Sequence, residues 1–128
     1  KDELFRFWYF GDFGQFDYNL KFTDKYLVEA KTLFEYKQYL LGYEALQKSD
    51  FYFSNSLPSL IKAESNNKDI SKKKLILKDA ALKHIETLEK MEADTPDTFN
   101  WQPEKVLPTT LRLKEGITQS IILRRNNL

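Results

Sequence analysis

The chain has 128 residues and a mass of 15.2 kDa, enough for one domain with its own core. Hydrophobic residues at 41% beside charged residues at 30% exclude wholesale disorder, and no apolar run approaches the roughly 20 residues of a spanning helix. Twenty basic and nineteen acidic side chains leave +1, too even for a dedicated polyanion binder, and the lack of cysteine excludes disulfides and thiolate metal sites.

In chain order, residues 1–11 form an aromatic lead-in, dense from Leu4 to Phe10, that ends in the turn Gly11-Asp12. Asp12, with Gln15 three residues on, reads as a capping-box start. From Phe13 to about Tyr36 the apolar positions keep helical spacing. Phe16, Leu20, Leu27, Ala30 and Phe34 make one stripe, interrupted at Thr23. The stripe changes phase at Tyr36-Lys37-Gln38, which predicts a tight helix–helix turn. A second helix is expected from Tyr39 to Leu57. Tyr39, Leu46, Phe53 and Leu60 recur every seven residues, with Gly42, Ser49 and Ser56 between them on the same face. Alternating large and small residues lets a neighbouring helix approach closely. Pro58 cannot continue the hydrogen-bond ladder and marks a kink or break.

Glu64 to Lys68 reads as a polar linker. A third helix is expected from Ser71 to Glu92, with Leu77, Ala81, His84, Leu88 and Met91 on its stripe, widened by Leu82 and Ile85. Ala93 to Gln102 reads as a loop. Pro103-Glu104 opens a fourth helix that carries Val106, Leu113, Ile117 and Ile121, with a start near Thr109 as the alternative that Pro108 leaves open. Arg124 and Arg125 suit its C-terminus. The expectation is an all-α, antiparallel bundle of about four helices, built from helical hairpins. It forms a single domain over 1–128: lead-in 1–11, first hairpin 12–65, second helical pair 69–125. Outside the lead-in, no strand reading competes.

The chemistry is restricted in the same way. His84 is the only histidine, and neither a cysteine nor a Gly-x-Ser-x-Gly turn accompanies it. On a core-facing stripe it reads as a structural residue. A di-iron bundle site needs two Glu-x-x-His pairs; position 81 is alanine and there is no second histidine. Acids are plentiful, but no calcium-loop pattern orders them. Gly11-Asp12-Phe13-Gly14 is too short for a phosphate loop and lacks its lysine; it reads as a helix-start turn.

Phe5-Arg6-Phe7-Trp8-Tyr9-Phe10 interleaves rings with a base, as a nucleobase-stacking surface would. Yet residues 1–64 hold eight basic and ten acidic side chains, so the aromatic half is the acidic half. Residues 65–128 hold twelve and nine, including Lys72-Lys73-Lys74. The same rings would also suit a membrane interface or the open end of the bundle. We therefore expect no catalytic residues, no metal and no cofactor. The expected function is a structural or protein-interaction domain whose contact residues are Phe5, Trp8, Tyr9, Phe10, Tyr36 and Tyr43. Its partner is an unknown protein, in proximity to a membrane surface. The alternative is recognition of nucleic acid or an anionic surface through Lys72, Lys73, Lys74, Lys78, Arg124 and Arg125.

The wording of Phe22 to Lys31, with Leu27-Val28-Glu29-Ala30 at its end, and of Gly42-Tyr43-Glu44-Ala45-Leu46 resembles an uncharacterised family of helical domains in exported bacterial proteins. Lys83 to Leu88 and Lys114 to Ile117 are similar to that family's later helices. The resemblance implies an extracytoplasmic location and a signal or membrane anchor upstream of Lys1. It carries no catalytic residue. Leu33 to Leu46 also resembles a tetratricopeptide-type hairpin, but no second copy follows at a 34-residue period, which argues against a repeat array.

Overall fold

The structure, a computed structural model, describes residues 13–101 and 109–128. The Leu4–Phe10 segment, the Asp12 cap and the helix start at Pro103, with Val106, lie outside the described residues. Within them the element order is α1 (Gly14–Glu35), α2 (Tyr39–Ser54), α3 (Ser56–Ser65), α4 (Ser71–Asp94), β1 (Phe99–Trp101), β2 (Thr109–Leu111) and α5 (Leu113–Arg125). The fold is an all-α bundle with one small two-stranded hairpin.

The turn at residues 36–38 is where the sequence places it. Lys37 sits at φ 59°, its N–H bonds the Phe34 carbonyl, and Gln38 N–H bonds that of Leu33. This is a Schellman motif with lysine where glycine is usual. Asn67, at φ 63°, closes α3 in the same way, with Asn67 N–H on Glu64 and Lys68 N–H on Ala63. At the start of α4, Asp69 Oδ1 accepts from both the N–H (3.0 Å) and the hydroxyl (2.7 Å) of Ser71. Those two bonds hold the exposed Asp69 carboxyl below the usual carboxylate range.

Two expectations need correction. The second helix breaks at Asn55, not at Pro58. Pro58 instead occupies the first turn of α3, where its missing N–H leaves no gap in the ladder. The helix that carries Leu113, Ile117 and Ile121 begins at Leu113, not near Thr109. Thr109 to Leu111 is a strand, paired antiparallel with Phe99 to Trp101 inside the expected loop. Phe99 packs its ring 5.4 Å from that of Tyr39, and Phe99 and Leu111 both lie on the apolar core, so tertiary burial extends these short segments.

α1 and α2 pack antiparallel along the face that the heptads mark. Leu46, Phe53 and Leu60 are buried, and so are the small residues Gly42, Ser49 and Ser56. A methyl group added at Gly42 would fall 2.3 Å from Phe34 Cδ1, so the close approach there requires glycine. The apolar core has two main clusters. One gathers Leu27, Ala30, Phe34, Leu46, Leu88, Leu113 and Ile117; the other gathers Phe16, Phe53, Leu60, Ala63, Leu77 and Ala81. A third, aromatic group of Tyr18, Phe22 and Tyr26, with Tyr52 beside it, lies on a second face of α1.

Candidate functional site: a buried polar layer

Between the two main clusters, four helices turn polar residues toward one another. Arg124 of α5 has no exposed surface, although it belongs to one of the most strongly hydrated side-chain types. Its Nη1 donates to Asp50 Oδ1 at 2.6 Å and to the Ser120 carbonyl at 3.1 Å. Nη2 donates to Ser49 Oγ at 2.9 Å, and Nε to His84 Nδ1 at 3.2 Å. The Phe53 ring covers the guanidinium at 4.9 Å. Burial pushes the Arg124 pKa down, while the Asp50 carboxylate and, less strongly, that of Asp24 push it back up.

The network continues outward in two directions. Because His84 Nδ1 accepts from Arg124, the ring proton is assigned to Nε2, which donates to Asp24 Oδ1 at 2.5 Å. Ser120 Oγ donates to Asp50 Oδ2 at 2.5 Å. On the other side, Ser49 Oγ donates to the Thr23 carbonyl and Thr23 Oγ1 to that of Asn19. Asn19 Nδ2 then reaches Ser59 Oγ of α3 at 3.0 Å. The interruption of the α1 stripe at Thr23 thus lies where Ser49 of α2 comes against the α1 backbone.

This arrangement ties helices to one another. A serine nucleophile needs a free imidazole nitrogen beside it. Both nitrogens of His84 are engaged, and the Ser49 and Ser120 hydroxyls donate to a backbone carbonyl and a carboxylate. Among the described residues, no buried side-chain nitrogen or oxygen lacks a hydrogen-bond partner. Nor do three or more His, Asp or Glu side chains gather there as metal ligands. No helix among these residues is long and apolar enough to cross a membrane.

Two surface grooves flank the layer. One, of about 430 Å³, lies between α2, β2 and α5, with Asp50 and Tyr43 among its lining residues. The other, of about 420 Å³, separates α1 from α4 and has Asp24 and His84 in its wall.

The expected contact residues are dispersed. Phe5, Trp8, Tyr9 and Phe10 lie outside the described residues. Tyr36 is 75% exposed at the α1–α2 turn. Tyr43 is half-buried against the first apolar cluster, its ring beside Gly116. Of the basic set, Lys72, Lys74 and Lys78 are exposed on α4. Lys73 pairs with Asp17 at 2.9 Å and lies over the Phe13 and Phe16 rings, and Arg125 pairs with Glu89 at 3.2 Å. Arg124 requires a correction: it is a core residue, shielded from any surface. The sequence carries a signal for it, since Ile117, Ile121 and Arg124 step by four and three along one helical stripe.

Comparison of the chain with protein-family models, curated proteins and solved structures finds no match.

Proposed function

We propose that the chain is a non-enzymatic helical domain that serves structure and protein interaction. The observation that carries this reading is the hydrogen-bonded polar layer. Asp24, Ser49, Asp50, His84 and Ser120 each bond a residue of another helix. Its placement on an exported, membrane-anchored bacterial protein rests on the resemblance carried by Leu27 to Ala30 and Lys83 to Leu88. The polyanion alternative loses Arg124 to the core and leaves Lys72, Lys74, Lys78 and Arg125 as its exposed cations.

The test has two arms. The purified chain is assayed against ester, phosphomonoester, peptide and glycoside substrates, beside Asp24→Asn. No turnover is expected, and turnover abolished by Asp24→Asn would overturn the non-enzymatic reading. A photocrosslinker at the exposed Tyr36 in producing cells is expected to give a discrete protein adduct from the envelope fraction. Salt-sensitive retention on a polyanion, lost on substitution of Lys72 and Lys74, would favour the alternative instead.

A further inference from the structure

α4 has two unlike halves. From Ser71 to Lys83 it holds five lysines and one acid, Asp79. From His84 to Asp94 it holds four acids and one lysine, Lys90. Exposed aliphatic side chains accompany the basic half alone: Leu75 is 67% exposed and Leu82 48%, with Ile76 open to solvent on their flank. Lys72, Leu75, Lys78 and Leu82 follow one another at steps of three, three and four, so they share one exposed stripe, with Lys74 beside Lys78. The cations of this stripe are uncommitted. Lys73 is paired with Asp17 of α1, but among the described residues Lys72, Lys74, Lys78 and Lys83 form no ion pair. On the acidic half, by contrast, Glu86 pairs with Lys90 and Glu89 with Arg125 of α5.

Lysines interleaved with exposed leucines complement a surface that is anionic outside and apolar beneath. Nucleic-acid phosphates would engage the lysines alone and leave Leu75 and Leu82 in water, and this stripe holds no ring on which a base could stack. An anionic bilayer uses both residue types. Ammonium groups meet the lipid phosphates, and the leucines enter the boundary between headgroups and acyl chains. We propose that the basic half of α4 docks on an anionic lipid bilayer. The proposal rests on the placement of the domain beside a membrane and names the face turned toward it. Leu77 and Ala81, on the opposite side of the same stretch, are packed in the second apolar cluster, so α4 lends side chains to the surface and stays in the bundle. Such binding is shallow and weakens as salt rises.

Co-sedimentation of the purified chain with vesicles of phosphatidylglycerol and phosphatidylcholine in equal parts tests this. Vesicles of phosphatidylcholine alone and a short DNA duplex serve as comparisons. Binding is expected on the mixed vesicles and not on the neutral ones. Lys72→Gln should weaken it by about fivefold, the contribution of one lysine near an anionic surface, and adding Lys74→Gln and Lys78→Gln should weaken it much further. Leu75→Ser with Leu82→Ser, both on exposed sites, should weaken vesicle binding while circular dichroism shows the helices unchanged. No binding to the mixed vesicles, binding indifferent to the two leucines, or tighter binding to the duplex than to the vesicles would overturn the proposal. The vesicle assay needs neither Tyr36 nor a protein partner, so it and the crosslinking arm can fail separately.

Discussion

The apolar clusters and the polar layer between them are built from the same helices by different means. Passing along α1, the inward residue changes from Phe16 to Thr23 to Leu27; along α2, from Phe53 to Ser49 to Leu46. Along α4 it passes from Leu77 through His84 to Leu88, and along α5 from Leu123 through Arg124 to Ile117. The apolar clusters hold by area and volume, which many sequences can supply. In the polar layer, donors on one helix are matched to particular acceptors on another, and a helix displaced by a turn would strand a buried charge. That layer therefore favours one alignment of α2, α4 and α5 over its neighbours.

The contrast predicts a ranking of substitutions. Asp50→Ala leaves the Arg124 charge buried without its carboxylate and should cost about 3–5 kcal/mol, read as a lower urea midpoint. In the first apolar cluster, Leu88→Ala should cost about 2–5 kcal/mol by leaving a cavity. Leu88→Met should cost under about 1.5 kcal/mol, a tolerance for volume-conserving exchange that the polar layer lacks. Arg124→Lys, with equal charge, should be disruptive because an ammonium cannot reach His84, Ser49 and Asp50 together. If Leu88→Met proved as costly as Asp50→Ala, the distinction would be lost.

Smaller effects lie at the contact between helices and at their ends. Gly42→Ala forces its methyl into the Phe34 ring and should destabilise by about 1–3 kcal/mol in the same unfolding assay. Asp69 gives the smallest effect and one that depends on pH. Its carboxyl is held below the usual range in the folded chain, so its contribution is present above the unfolded-state value and fades as pH falls through the folded-state value. The melting temperature of Asp69→Ala should therefore fall slightly below wild type at neutral pH and converge with it in acid.

The apolar clusters were legible in the sequence because burial leaves a period. The heptads at Tyr39, Leu46 and Phe53 and the small residues at Gly42, Ser49 and Ser56 mark the α1–α2 contact before any coordinates. The pairings within the polar layer leave no such trace. Ser49 and Asp50 meet Arg124 and Ser120 across at least seventy positions of sequence, and nothing local to either pair records the other. Arg124 looked like a surface cation because its type is usually solvated, although its place on the Ile117–Ile121 stripe pointed inward. The hairpin at Phe99 and Leu111 was missed because three-residue strands carry too short an alternation to detect. The break at Asn55 was drawn toward Pro58, since proline is a strong local signal even where a helix's first turn accommodates it.

A double-mutant cycle between Asp50 and Arg124 addresses the central claim most directly, comparing Asp50→Ala, Arg124→Met and both together by urea unfolding. If the layer is a structural lock, removing both partners should recover much of the stability lost in Asp50→Ala alone, because no unpaired charge stays buried. Additive losses, with the double variant less stable than either single one, would contradict the account.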